Sequence, residues 1–279
     1  MTTCALCMPF SLRGLIFATA TFLIAQSSSG VCAEEVIEIA TRPGQSVRAL
    51  IDKPAKPIGS VILLVGGHGN LDLSAHGQIG WGAKNQVVRT RAAYTKMGFV
   101  ALVPDIAPDF KQGTGTKPSY RWSGDHAVDI GAMVRHLRSI AAPVYIVGTS
   151  RAAMSVANAA VRLKGSERPD AIVITSGMIA AIDAKSPSAE SKVGRLERIT
   201  QPVLLVFHKD DGCRHTPASS ASRAKALFKG AKRVDLKILT GGNAGSGDPC
   251  QAQSHHGFLG QDDEVVELIS SWLKDGAAK

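Results

Sequence analysis

The chain has 279 residues, 44% of them apolar and 20% charged, with 28 Gly, 13 Pro and a formal net charge of +9. That apolar fraction fills a core, and with no heptad or Gly-X-Y repeat it excludes a disordered, collagen-like or coiled-coil chain. The basic excess forms no block of five or six like charges and is not interleaved with aromatic residues, so a nucleic-acid groove is excluded as well.

The first 33 residues read as an export signal. Arg13 supplies the positive charge, Leu15 to Ala25 is an apolar run, and Val31-Cys32-Ala33 offers small residues before Glu34. Such a run is too short to span a bilayer. The expected mature protein is therefore residues 34–279, one domain, periplasmic or secreted, without stable membrane insertion. Cys4, Cys7 and Cys32 fall inside the signal and leave Cys213 and Cys250 as the mature pair. Two thiols sent to an oxidising compartment are expected to be joined, and their spacing does not suit a metal site.

In chain order, Val36 to Ala40 and Ser46 to Asp52 read as strands around a Pro43-Gly44 turn. Val61 to Val65 is a continuous apolar run ending in Gly66-Gly67, the pattern of a strand covered on both faces. A helix is expected over Arg89 to Met97, a strand over Phe99 to Val103, and a helix capped by Ser123 with Ala127, Ile130, Val134 and Leu137 at helical spacing. Strand Val144 to Val147 leads into a helix from about Ser150 to Lys164, closed by Gly165. Strands over Ala171 to Ile174, Val203 to Phe207 and Val234 to Leu239 follow, then a terminal helix over Glu264 to Leu273. Alternating strands and helices imply right-handed crossovers and a mostly parallel twisted α/β sheet of about eight strands flanked by helices. Met178 to Thr200 is the one segment long enough for a small cap.

The strongest local signal is Gly148-Thr149-Ser150-Arg151-Ala152 at a strand-to-helix junction. A tight turn there raises a nucleophile above the sheet and needs small flanking residues. Ala152 departs mildly from the G-x-S-x-G pattern. The Arg151 N–H, at a helix N-terminus, points at the same oxygen and favours an oxyanion. Two later strands end in His208-Lys209-Asp210-Asp211-Gly212-Cys213 and, after a Gly-rich loop, Ser254-His255-His256-Gly257-Phe258. Carboxyl ends of parallel strands gather at one sheet edge. Ser150, an aspartate and a histidine therefore converge.

On these motifs and their order, the mature chain resembles the α/β-hydrolases, and among them the dienelactone-hydrolase-like serine esterases. The resemblance implies Ser150 as nucleophile, Asp211 as acid in the H-x-x-D pattern begun by His208, and His256 as base in His-Gly-Phe, with Asp210 and His255 as neighbouring alternatives. It also implies a second oxyanion donor in Gly66-Gly67-His68-Gly69-Asn70, matched to the His68 N–H, or to Gly69 or Asn70 in a shifted register. The function so implied is cleavage of a small-molecule carboxylic ester through a covalent acyl-enzyme, by a monomer or dimer without metal or organic cofactor. A thioester or amide hydrolase with the same triad, or a catalytically silent envelope binding protein on this scaffold, are the alternatives. Trp81, Trp122 and Phe110 are candidate pocket residues, Asp105 could face the pocket, and His126, His136 and His215 read as structural or surface groups.

Overall fold

The computed structural model describes residues 34–276, so the export signal lies outside the described residues. Among the described residues there are ten strands: β1 (Glu35–Arg42), β2 (Gln45–Asp52), β3 (Gly59–Leu64), β4 (Phe99–Pro104), β5 (Lys111–Gln112), β6 (Gly115–Thr116), β7 (Val144–Thr149), β8 (Ala171–Thr175), β9 (Val203–His208) and β10 (Val234–Leu239). The helices are α1 (Gln86–Arg89), α2 (Arg91–Lys96), α3 (Gly124–Ile140), α4 (Ala153–Arg162), α5 (Ala221–Ala226) and α6 (Asp262–Gly276). Eight strands form one sheet in the order β1-β2-β4-β3-β7-β8-β9-β10, and β5 pairs with β6 in a separate hairpin. β1, β2 and β4 pair antiparallel; every ladder from β4 through β3 to β10 is parallel.

The continuous apolar strands are two interleaved stripes. Ile62, Leu64, Leu102, Ile146 and Ile174 face α3 and α4 in one core; Val61, Leu63, Val103, Val147 and Val173 face α1, α2 and α6 in the other. Side chains alternate across the pleat, so one run feeds both layers. On α3, Ile130, Val134 and Leu137 are buried at the expected spacing, each contributing roughly 1.5–3 kcal/mol. Ser123 caps that helix by accepting from the His126 N–H.

Two boundaries differ from the sequence expectations. The helix expected over Arg89 to Met97 is two short pieces, because Thr90 ends α1 and turns its hydroxyl back onto the Gln86 carbonyl (2.7 Å). α4 ends at Arg162, since Leu163 is already extended; Gly165 starts a separate turn instead of closing the helix. The Met178 to Thr200 segment sends part of its apolar residues into the core. Ile179, Ala189, Leu196 and Ile199 are buried in the α3/α4 core, and short turns at Ala189–Val193 and Leu196–Arg198 carry them there. No helix among the described residues is long and apolar enough to cross a membrane.

Candidate active site

β7 runs to Thr149 in extended geometry, Ser150 follows at φ 55°, and a turn over Ser150–Ala152 leads into α4. A serine held in the left-handed region is strained and persists because its surroundings fix it. Its carbonyl accepts from the Met178 N–H at 3.1 Å. Gly148 has no room for a side chain: an ideal Cβ would lie 2.4 Å from Val156 Cγ2. Ala152, where the G-x-S-x-G pattern has glycine, is fully buried without such a clash. Gly66 lets the loop after β3 pass close by, since its Cβ would meet the Thr149 carbonyl at 3.0 Å and Ser150 Cβ at 3.1 Å.

β9 and the loop after β10 bring the other two groups. His208 accepts the Asp210 N–H at Nδ1 (3.1 Å), which leaves its proton on Nε2 for the Gly241 carbonyl (3.0 Å). That histidine fixes the turn that carries Asp211. Asp211 Oδ1 accepts the Cys213 N–H at 2.8 Å, and Oδ2 accepts His256 Nδ1–H and the Thr216 hydroxyl, both at 2.9 Å. With Nδ1 engaged, the lone pair of His256 is on Nε2, which is buried without a partner. Ser150 and His256 line the same cavity, with no direct hydrogen bond between them. Asp210 and His255 point elsewhere: the Asp210 side chain is exposed, and the His255 ring stacks on His208 at 4.3 Å with Nδ1 on the Asp210 carbonyl. His208, Asp210 and His255 are close enough to suggest a cation site, but both His208 nitrogens are already committed.

On the other side of Ser150, the guanidinium of Arg121 is buried and donates to the carbonyls of Val65 (2.9 Å), Gly66 (3.2 Å) and Gly67 (3.3 Å), and to Ser155 Oγ (3.0 Å). In a trans peptide the N–H lies opposite the carbonyl. Pulling the Gly67 carbonyl inward therefore turns the His68 N–H outward. The Asn70 N–H is occupied by His68 Nδ1 (3.2 Å), and Arg121 Nη2 would lie only 2.5 Å from a Cβ on Gly69. The Arg151 N–H is one of the free donors of a helix start. Burial, Arg121 and Arg151 lower the His68 pKa, and its ring packs on Trp81 at 3.6 Å. Asp105 does not reach the cavity as a free carboxylate. It accepts the N–H groups of Leu71, Leu73 and Ile106 and holds the loop after β3.

The cavity measures about 1160 Å³ and is walled by Trp81, Lys84, Met178, Arg214 and Gln251 among others. The Cys213–Cys250 disulfide lies in its wall and links the Asp211 loop to the His256 loop. Arg89 holds the far side of the His256 loop through the carbonyls of Gly257 (2.6 Å) and Ala252 (3.1 Å) while pairing with Asp262. Trp81 and His215 line the cavity. Trp122 and Phe110 instead pack on the core, Phe110 stacking on Tyr120 at 4.3 Å. Arg121, Thr216 and Arg89 have no sequence signal, because each acts on residues distant in the chain or in a loop of undefined conformation.

No family model matches the sequence, and no curated protein matches it. Solved structures do match the fold. The chain is similar to a dienelactone hydrolase from Anabaena variabilis (TM-score 0.61, 15% identity, 87% of this chain and 97% of that one). It is also similar to an esterase from Pyrococcus furiosus (TM-score 0.60, 13% identity, 87% and 92%) and a predicted CIB-like hydrolase from Thermoplasma acidophilum (TM-score 0.56, 18% identity, 88% and 100%). The chain has the α/β-hydrolase fold.

Proposed function

We propose that the protein is an exported serine hydrolase that cleaves a carboxylic ester through a covalent acyl-enzyme. The observation that carries this reading is a strained Ser150 that lines the same cavity as a buried His256 whose Nε2 is free and whose Nδ1–H is held by Asp211. Ser150 Oγ attacks the acyl carbon as His256 Nε2 takes its proton. Asp211 fixes the imidazole tautomer and stabilises the imidazolium. The N–H groups of Arg151 and His68 receive the oxyanion. His256 then returns the proton to the leaving alcohol, and water, activated by the same base, releases the acid. The disulfide and the Leu15 to Ala25 run support export.

Treatment with a fluorophosphonate, read by intact mass, tests the mechanism. One adduct on the oxidised protein, absent from a folded Ser150→Ala variant, is the expected result. No adduct on folded protein overturns it in favour of a silent binding scaffold. A triad does not choose its leaving group, so matched ester, thioester and amide substrates sharing one acyl group test the bond type; the ester is expected to turn over fastest.

Thr216 is a positioning residue in this mechanism. It is fully buried, donates to Asp211 Oδ2, and sits 3.0 Å from His256 Nδ1. Thr216→Val keeps the shape and removes the donor, and a hydrogen bond to a charged carboxylate is worth about 1.5–3 kcal/mol. A fall in kcat of roughly tenfold or more is expected, with KM little changed. Unchanged kcat in a folded variant would show that the hydroxyl only fills space.

A further inference from the structure

Behind the loop that follows β3 lies a second, much smaller cavity of about 30 Å³. That is room for one halide-sized ion or a pair of waters. Arg121, His126 and Thr116 supply polar walls, and Val65, Ile130 and Met133 apolar ones.

The polar groups here are unbalanced. The Arg121 side chain, 7% exposed, keeps its charge in a buried place, and its four bonds all go to neutral oxygens: one hydroxyl and three carbonyls. Among the described residues no carboxylate pairs with it; burial and the neighbouring cation Arg151 act against its charge, and Tyr120 acts in its favour. His126 is also 7% exposed, and neither ring nitrogen has a partner. Thr116 Oγ1 is buried and unpartnered too. An ideal Cβ on Gly69 would lie 2.5 Å from Arg121 Nη2 and 3.8 Å from Thr116 Oγ1, so both groups flank Gly69. Asp105, the carboxylate in the cavity wall, is bonded to three backbone N–H groups and lies 3.6 Å from Lys111.

A buried charge without a counter-charge is costly, and unpartnered buried donors add to the cost. Water would satisfy the donors without compensating the guanidinium. An anion does both, receiving the Thr116 O–H, the His126 N–H in the tautomer that puts the proton on the nitrogen facing the cavity, and the field of Arg121. We propose that this cavity is a binding site for one small monovalent anion of chloride or bromide size, held by Arg121, His126 and Thr116. The site is separate from the ester-cleaving reading and does not depend on it. Its occupant sits behind the backbone that Arg121 clamps, so occupancy stiffens the Val65 to Gly67 loop.

Thermal unfolding of the oxidised protein, with sodium chloride replacing sodium gluconate at fixed ionic strength, tests this, together with bromide-soaked crystals. The expected result is a saturable rise in Tm of roughly 3–6 °C at tenfold excess over Kd. The rise is expected to be lost in Thr116→Val and in His126→Phe, and an anomalous bromide peak should lie between Arg121 and His126. Superimposable melting curves with no peak, or a rise that survives in both variants with the peak elsewhere, overturn the proposal. Should either variant fail to fold, the position of the wild-type bromide peak decides alone.

Discussion

Asp211→Asn is expected to lower kcat by about 10⁴-fold while leaving the melting curve and KM close to those of the parent protein. The effect follows from where each oxygen points. Oδ1 accepts the Cys213 N–H, and Oδ2 accepts from both His256 Nδ1 and the Thr216 hydroxyl. An asparagine that keeps its oxygen on the Cys213 N–H must present its NH₂ to His256 Nδ1. That nitrogen then becomes an acceptor, and the imidazole proton moves to Nε2, the atom that takes the proton of Ser150 in the proposed mechanism. Turning the amide over restores the tautomer but aims the NH₂ at the Cys213 N–H, a buried donor against a donor. Either way the base is disabled while the volume stays the same. Asp210→Asn is the matched control and is expected to leave kcat within about twofold, because that carboxylate is exposed and holds neither His256 nor Thr216. Both are read as steady-state kinetics on an activated ester beside thermal melts. If Asp210→Asn proves the damaging change and Asp211→Asn the silent one, the acid has been misassigned.

The strands were legible because a two-sided parallel strand has to be apolar throughout, as Val61 to Val65 and Val203 to Phe207 are. The site's position followed from topology: every parallel strand delivers its carboxyl end to one edge, so the loops after β3, β7, β9 and β10 had to meet there. What could not be read were contacts whose partners are set by loop conformation. Arg121 reaches back across 54 to 56 positions to three carbonyls, and Arg89 reaches forward 163 and 168 positions to two more. No periodicity encodes either. The break at Thr90 escaped for the opposite reason: a local hydroxyl-to-carbonyl bond ended a segment whose apolar pattern continued. Asp211 was preferred to Asp210, and His256 to His255, by the resemblance alone; no periodicity separates them, because adjacent residues share a loop while their side chains point in different directions. The 178–200 segment was legible only as long enough for a small cap; that Ile179, Leu196 and Ile199 are core residues is set by tertiary packing.

Removing the disulfide, as Cys213→Ala with Cys250→Ala or by reduction, is expected to abolish turnover well before it melts the sheet. In the chain-entropy model, opening a loop of 37 positions costs about 4 kcal/mol. For a domain of this size that lowers Tm by roughly 8–16 °C. The kinetic effect should be larger than this loss implies, because of what the bond connects. Cys213 gives its N–H to Asp211, and Cys250 lies in the loop to His256, whose residues from Gly241 to Pro249 are all exposed. Such a stretch has little packing of its own to hold it. Arg89 still grips Ala252 and Gly257 from the opposite side, so the His256 loop stays attached at one end and loses its register against Asp211 at the other. The distance that matters is the 2.9 Å between His256 Nδ1 and Asp211 Oδ2. Kinetics, far-ultraviolet circular dichroism and a thiol titration on one reduced sample separate the possibilities. Lost kcat with a native far-ultraviolet spectrum at a temperature below the new Tm makes the bond part of the site's geometry. A kcat that falls only in step with the unfolded fraction makes it a stabilising link and nothing more, and two titratable thiols in the native protein before any reductant is added would remove the bond from the argument altogether.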